Sequence, residues 1–303
     1  MTASGRLQLA GRYLAGTPCL RLEFSLRLAG AELRLRPAPL FWLGAAHRDS
    51  QADFARLHRL LRALECPQEL LDCQLARSPD SLYQGVAIDL DAARVRGNLF
   101  MHCRNQTRLG LGWNGQTLRH TEYRAGLLTD VSDRCWLLSH VHSHYRGVLK
   151  ALLGDARLSG QGGYWVQREQ EQDTELYLTY PWHPPLASLA PSLNAHMLTP
   201  LPESWQHYRA APVRHIGFSC RADPTPAMTL YASAPYANTW PASLAELEEQ
   251  VMGGTRACLG SFVGHEAPPE GRVARGNLTT ACAAGADPNQ PWLARSRSCS
   301  SRA

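Results

Sequence analysis

Apolar and polar residues alternate with the two-residue period of a half-buried strand in four stretches of this chain. The alternation predicts four strand pairs. The first runs from Leu20 to Leu28, turns at Ala29-Gly30 and returns from Glu32 to Trp42. The second joins Gln84 to Leu90 with Arg94 to Arg104, and the third joins Gly163 to Glu169 with Thr174 to Tyr180. The fourth joins Val213 to Arg221 with Ala227 to Ser233 through Ala222-Asp223-Pro224-Thr225-Pro226, where proline and aspartate supply turn chemistry. Between the pairs the period changes. Asp49 to Glu65 carries Phe54, Leu57, Leu60, Leu61 and Leu64 at helical spacing, with Asp49 or Ser50 as N-cap. Trp136 to Leu153 predicts a second helix and Pro241 to Met252 a third. The order is two strands, a helix, two strands, a helix, without self-similarity of sequence.

Sorting each strand into its two faces separates the chemistry. Leu20, Leu22, Phe24, Leu26 and Leu28 share one face of the first strand, and Arg21, Glu23, Ser25 and Arg27 the other. Leu33 and Leu35 oppose Glu32, Arg34 and Arg36. Val95, Leu99, Met101 and Cys103 oppose Arg94, Arg96, Asn98, Phe100, His102 and Arg104. Leu176 and Leu178 oppose Glu175, Tyr177 and Thr179; Ile216 and Phe218 oppose His215, Ser219 and Arg221; Leu230 opposes Tyr231 and Ser233. The amphipathic helices can cover the apolar face. The polar face belongs either to an open sheet wetted by bulk water or to the lumen of a closed barrel. Aromatic residues mixed into that face, and at least eight strands, favour closure. The predicted fold is α+β, an antiparallel barrel surrounded by helices.

Composition refines this picture. The net charge is +5 and Lys150 is the only lysine, so the basic excess is arginine. Arginine stays charged when buried and grips phosphate with two parallel hydrogen bonds, although the base composition of a gene also sets an Arg-for-Lys bias. The charge suits an anionic ligand and is too small to imply nucleic acid. Nine cysteines without a CxxC pair fit reduced thiols better than a disulfide framework. No stretch reaches the length of a membrane span, and the first residues lack the apolar core of a signal peptide. A cytoplasmic, monomeric protein is expected. From Gly264 onward small residues and arginine dominate. Residues 1–255 are therefore expected to form one barrel domain, and 256–303 a poorly ordered or degenerate segment with one residual strand near Arg272 to Ala281.

Four stretches between residues 18 and 235 resemble the ABBA prenyltransferases, and more closely the cyanobactin-type peptide prenyltransferases. They are Leu20-Arg-Leu-Glu-Phe-Ser25; Ala87-Ile-Asp-Leu90 with Leu99-Phe-Met-His-Cys-Arg104; Gly163 to Tyr177, containing Glu175-Leu-Tyr177; and Gly217-Phe-Ser-Cys-Arg221 with Thr229-Leu-Tyr231. The resemblance implies a barrel of the ABBA (PT-barrel) kind. It also implies transfer of a dimethylallyl or geranyl group from its diphosphate to a side chain of a peptide natural product, linear or cyclic. Glu23 would be the catalytic base; Arg36, His102, Arg104 and Arg221 would hold the diphosphate. Tyr177 and Tyr231 would shield the allylic cation, and Phe100 and His215 would line the prenyl-chain pocket. The prenyl diphosphate, dimethylallyl (DMAPP) or geranyl (GPP), is then a co-substrate, with no tightly bound cofactor and with Mg2+ dependence left open. The partners are a peptide acceptor and the donor, with neither nucleic acid nor membrane. Phe100 departs from the family, which usually places a diphosphate-binding lysine there, and the family's fifth repeat is not recognisable at the C-terminus.

Two other readings compete. Ser139-His-Val-His-Ser-His-Tyr145 resembles the HxHxDH zinc motif of metallo-β-lactamase-type hydrolases, with His144 at the Asp position and Tyr145 at the final His. His140 and His144 can share a helix face there. A non-catalytic barrel that only binds is the other alternative. Asp130-Val-Ser-Asp133 is the nearest approach to a DDxxD metal motif and reads as helix-surface charge; Asp89 and Asp91 read as turn residues.

Overall fold

The computed structural model describes residues 2–14, 19–29, 32–44, 50–90, 95–105, 107–197, 201–235 and most of 240–250; within it, 19–22 and 32–44 are described by backbone and register. The chain divides into two compact units, Met1–Ser261 and Phe262–Ala303. Everything described lies in the first. The expected C-terminal segment 256–303, its residual strand, Asp91 and Arg94 lie outside the described residues. Backbone at 245–247 and 249–250 is helical, within the span predicted from Pro241 to Met252.

A helix, α1 (Ala3–Leu14), precedes the first hairpin, β1 (Cys19–Ala29) and β2 (Glu32–Gly44). Then come α2 (Ser50–Ala63) and α3 (Gln68–Arg77), followed by β3 (Ser81–Ile88) and β4 (Arg96–Cys103). β5 (Arg108–Asn114) and β6 (Thr117–Leu127) follow directly. Helices α4 (Val131–His140), α5 (Arg146–Leu153) and α6 (Ala156–Gln161) lead to β7 (Gly163–Glu169) and β8 (Gln172–Thr179). α7 (Leu186–His196) then leads to β9 (Val213–Ser219) and β10 (Ala227–Pro235). All ten strands join in one closed antiparallel barrel, in chain order, with β10 pairing back onto β1.

Closure has a direct physical consequence: a barrel has no sheet edge, and its two faces become an outside and a lumen. The outward residues sort as the alternation predicts. Phe24, Leu26 and Leu28 of β1, Leu99 and Met101 of β4, Leu176 and Leu178 of β8, Ile216 and Phe218 of β9, and Leu230 of β10 are all buried. They form one apolar cluster with Leu7 of α1, Leu57 and Leu61 of α2, Leu149 and Leu152 of α5 and Leu193 of α7. A small polar cluster interrupts this layer. Gln84 of β3 points outward, and its amide meets Gln74, Ser78 and Ser81, so each buried polar group is paired. Burial also pushes the Cys66 and Cys220 thiols up to about 12, which keeps them neutral in this layer.

Several expectations are corrected. The hairpin β5–β6 was not anticipated, and it supplies the fifth strand pair; the barrel closes within residues 19–235 without a C-terminal repeat. The helix expected from Trp136 to Leu153 is broken after His140, because Val141 is extended and bridges Cys220, and a 3-10 turn at Ser143–Tyr145 precedes α5. β4 ends at Cys103 and β9 at Ser219, so Arg104 and Arg221 stand in turns rather than in strands. Helices α1, α3, α6 and α7 add to those expected.

The barrel has two dissimilar ends. The turns β1–β2, β3–β4, β5–β6, β7–β8 and β9–β10 all lie at one, the hairpin end. The helical connections leave from the other, the helix end. At the hairpin end Gly115 takes φ +60, the left-handed conformation of a tight turn, with open space around it.

Candidate functional site

Cross-strand register places the inward residues in belts. Glu23 of β1 stands opposite Ser233 of β10, and Ser25 opposite Tyr231. Tyr231 stands opposite His215 of β9, which stands opposite Thr179 of β8. Tyr177 of β8 has Gly217 on one side and Trp165 of β7 on the other. Phe100 of β4 lies between Gly85 of β3 and Gly110 of β5, and His102 lies between Tyr83 and Arg108.

An aromatic belt follows from these neighbours. The Tyr177 and Tyr231 rings lie 5.7 Å apart, and Tyr231 meets His215 at 6.4 Å. Phe100 meets Tyr123 of β6 at 5.9 Å. The two halves meet at Gln167, whose Oε1 accepts from the Tyr123 hydroxyl and lies 2.8 Å from the Tyr177 hydroxyl. The Tyr177 hydroxyl also lies 2.7 Å from Glu175 Oε2, to which it donates. Burial, and then the Glu175 carboxylate, push the Tyr177 phenol well above its usual value, and burial does the same to Tyr123. Both phenols therefore stay protonated and keep donating. Gly217 is required by this arrangement: a Cβ there would sit 2.6 Å from Glu175 Oε1 and 3.2 Å from the Tyr177 ring.

Charge is spread unevenly around the wall. On β4 to β6 stand Arg96, His102, Arg108 and Arg119; Arg96 pairs with Asp89, and Arg119 with Glu169 of β7 at 3.5 Å. Across the lumen, β8 carries Glu175, and β1 carries both Glu23, which is almost fully buried, and Arg27 further along the same face.

The structure brings Glu23, His102, Phe100, Tyr177, His215 and Tyr231 to the lumen face. Arg36 pairs in register with Ser25, a lumen position; its side chain lies outside the described residues. Arg104 and Arg221 are the correction. Five antiparallel pairings separate β4 from β9, so the two strands run in opposite directions. Arg104 follows β4 at the helix end and Arg221 follows β9 at the hairpin end, both exposed. One diphosphate cannot be held by both. Residues that the sequence reading missed are Arg108, Arg119 and Tyr123, all on the unanticipated hairpin, and Trp165 and Gln167, which lie on a strand it did predict. The Asn114-Gly115 dipeptide between two alternating runs was the available signal.

The histidine run does not assemble a metal site. The His140 ring stacks on Trp136 at 4.0 Å and its Nδ1 lies 2.9 Å from the Trp136 carbonyl. His142 Nδ1 accepts from the His144 backbone N–H. Among the described residues no group of three or more His, Cys, Asp or Glu side chains could hold a metal ion. Asp130 caps α4 and Asp133 accepts from the Tyr164 hydroxyl, which accounts for both acids of that stretch. Among the described residues no helix is long and apolar enough to cross a membrane.

No protein-family model matches the chain, and none of the curated proteins compared with it is similar enough to count as a relative. Solved structures are similar in fold. The 5-dimethylallyltryptophan synthase of Streptomyces coelicolor superposes with a TM-score of 0.54 at 11% identity, over 77% of this chain and 91% of that one. The same enzyme in complex with DMASPP and Trp gives 0.51 at 13% identity, over 77% and 95%. The prenyltransferase PriB in its binary complex with product diphosphate gives 0.50 at 14% identity, over 73% and 83%. At such identities the likeness is one of architecture: this chain has the ABBA, or PT-barrel, fold.

Proposed function

We propose that the chain is a prenyltransferase that moves a dimethylallyl or geranyl group from its diphosphate onto a side chain of a peptide, in the manner of the cyanobactin-type enzymes of ribosomal peptide modification. The observation that carries this reading is the lumen itself. Basic residues on β4 to β6 and an aromatic belt suit the ionisation of an allylic diphosphate, and a buried carboxylate on β1 suits the deprotonation of an acceptor. The two S. coelicolor structures support it further, since that enzyme is a dimethylallyltryptophan synthase of the same fold.

The chemistry proceeds by charge separation. As the C–O bond of the donor lengthens, negative charge collects on the diphosphate, where guanidinium donors stabilise it most. The allylic cation left behind needs electron-rich faces and little water; Tyr177 and Tyr231 offer the faces. The acceptor's nucleophilic atom attacks the cation and then loses its proton to Glu23. Phe100 and His215 border the space left for the prenyl tail. Phe100 supplies bulk where the family usually has a cation, so the charge there is assigned to the neighbouring strands.

The test is direct. Purified protein is incubated with dimethylallyl or geranyl diphosphate and a panel of Tyr, Trp, His and Arg peptides, linear and cyclic. The expected result is a peptide heavier by one prenyl group with at least one pair. Absence of product from folded protein with every pair overturns the reading; donor binding without product returns the barrel to a binding protein.

A further inference from the structure

The Tyr177 hydroxyl has one hydrogen and stands between two acceptors. Glu175 Oε2 lies 2.7 Å away and Gln167 Oε1 2.8 Å. The Gln167 amide cannot turn to offer a donor instead. Its Nε2 already donates to Glu169 Oε1 at 2.7 Å, and Glu169 Oε2 lies 3.5 Å from Arg119, so a turned amide would set oxygen against carboxylate. Tyr123 donates to the same Gln167 Oε1 at 3.2 Å, which uses one lone pair and leaves the other for Tyr177. The phenol hydrogen therefore has two positions. While Glu175 is a carboxylate it holds that hydrogen, because a hydrogen bond to an ionised acceptor is about twice as strong as one to a neutral acceptor. When Glu175 Oε2 takes up a proton, it becomes a donor to the tyrosine oxygen, and the phenol hydrogen turns to Gln167. The ring keeps its place in both states, since its oxygen keeps both neighbours. What changes is the charge of the ring. A phenol that shares its hydrogen with an anion is electron-rich, and one that accepts from an acid is not.

We propose that Glu175, acting through the Tyr177 hydroxyl, sets how strongly the aromatic belt attracts a cation, with Gln167 as the waiting acceptor that makes the change reversible. With Glu175 ionised the Tyr177 face holds an allylic cation more strongly; with Glu175 protonated the same face holds it less. The cation's part in this rests on the prenyltransferase reading; the hydroxyl switch itself does not. Glu175 and Gln167 are positioning residues here, since both act through the phenol. Other titratable and charged groups lie on the strands around Glu175 among the described residues. On β8 Asp173 pairs with Arg168 of β7, and Glu169 of β7 pairs with Arg119 of β6. On β9 His215 Nδ1 lies 2.9 Å from the Thr179 hydroxyl. In the turn after β9 Asp223 accepts from Ser219 and feels the charge of Arg27 of β1, and the Cys220 thiol is kept neutral by burial. Tyr123 of β6, Tyr231 of β10 and Glu23 of β1 complete the set. Only Glu175 lies against the Tyr177 hydroxyl as a carboxylate.

Two measurements on the full chain decide it. In the first, every tyrosine carries an isotope label at Cζ, and the Tyr177 magnetic resonance signal is picked out of the ten by its loss in Tyr177→Phe. As the pH falls from about 8 to about 4, across the ordinary carboxylate range, this signal is expected to move through one transition. Glu175→Gln abolishes the transition. Gln167→Met shifts it to lower pH, because the protonated state then lacks an acceptor for the phenol. Thermal melts establish that each variant is folded. In the second measurement kcat and donor KM are compared at about pH 8, where carboxylates are ionised. Glu175→Gln lowers kcat about tenfold, the rate equivalent of weakening one cation–π contact, and leaves donor KM within about twofold. In a Tyr177→Phe background the same substitution changes kcat by less than about twofold, since the two residues act as one unit. A Tyr177 signal that is flat in wild type, or a transition that survives Glu175→Gln, overturns the switch. A kcat loss of full size in the Tyr177→Phe background overturns the action through the phenol. The resonance arm needs no turnover. A Glu175-dependent transition in a protein that forms no product therefore keeps the switch and removes the enzyme. Product formation with a flat Tyr177 signal does the reverse.

Discussion

Glu23→Gln is expected to slow prenyl transfer by about 10²–10⁴-fold, the span of general-base contributions, while donor affinity stays within about twofold of wild type on the same grounds. Glu23 lies on β1 with its side chain almost fully buried in the barrel wall, opposite Ser233 and beside the Ser25–Tyr231 pair. That location sets it one same-face position along β1 from the residue paired with Tyr231. The amide keeps the size of the carboxyl but exchanges one acceptor oxygen for an NH2 donor, and it cannot take a proton from the acceptor. The loss should fall on kcat, because deprotonation follows donor ionisation and does not contribute to donor binding. A Glu23→Gln enzyme with wild-type kcat would move the base elsewhere, and Glu175, which accepts from the Tyr177 hydroxyl, would be the next candidate.

The second large effect concerns the scaffold. Phe218→Ala should destabilise the protein by about 3–5 kcal/mol, the cost of emptying a fully buried aromatic site. Phe218 is 0% exposed on the outer face of β9, flanked in register by Met228 and Leu176. Its ring lies 6.0 Å from that of Tyr145, just before α5. The side chain therefore joins three strands to the helical layer, and its neighbours in sequence, Gly217 and Ser219, face the lumen. Equilibrium denaturation reads the change as a lower midpoint at unchanged slope. A loss below about 1 kcal/mol, the level of ordinary substitutions, would mean that the helices are not packed against this face of the barrel.

How far the sequence announced this structure depends on the strand. β1, β4, β8, β9 and β10 carry large apolar residues on one face and polar ones on the other, so alternation alone found them and their lumen residues. β5 and β6 hid for opposite reasons. In β5 the inward positions Gly110 and Gly112 have low strand propensity and read as loop. In β6 the outward positions include His120, Glu122 and Arg124, so both faces are polar and the period-two signal vanishes. Losing that hairpin lost Arg108, Arg119 and Tyr123, and it made a barrel complete within residues 19–235 look unfinished. Arg104 and Arg221 illustrate a different limit. Alternation assigns a residue to a face only while the strand lasts, and each arginine falls one or two residues beyond its strand's end. Which end of the barrel a residue occupies is set by pairing direction, which a list of faces does not contain.

On the proposed function, an allylic diphosphate is bound and ionised in the lumen, between the basic residues of β4 to β6 and the aromatic belt. The most direct test is a crystal structure of this protein with an unreactive dimethylallyl diphosphate in which sulfur replaces the bridging oxygen. The analogue is expected inside the barrel, its diphosphate against guanidinium groups of β4 to β6 and its prenyl carbons over Tyr177 and Tyr231. An analogue bound on the outer surface, or a lumen that stays empty at saturating concentration, would contradict it.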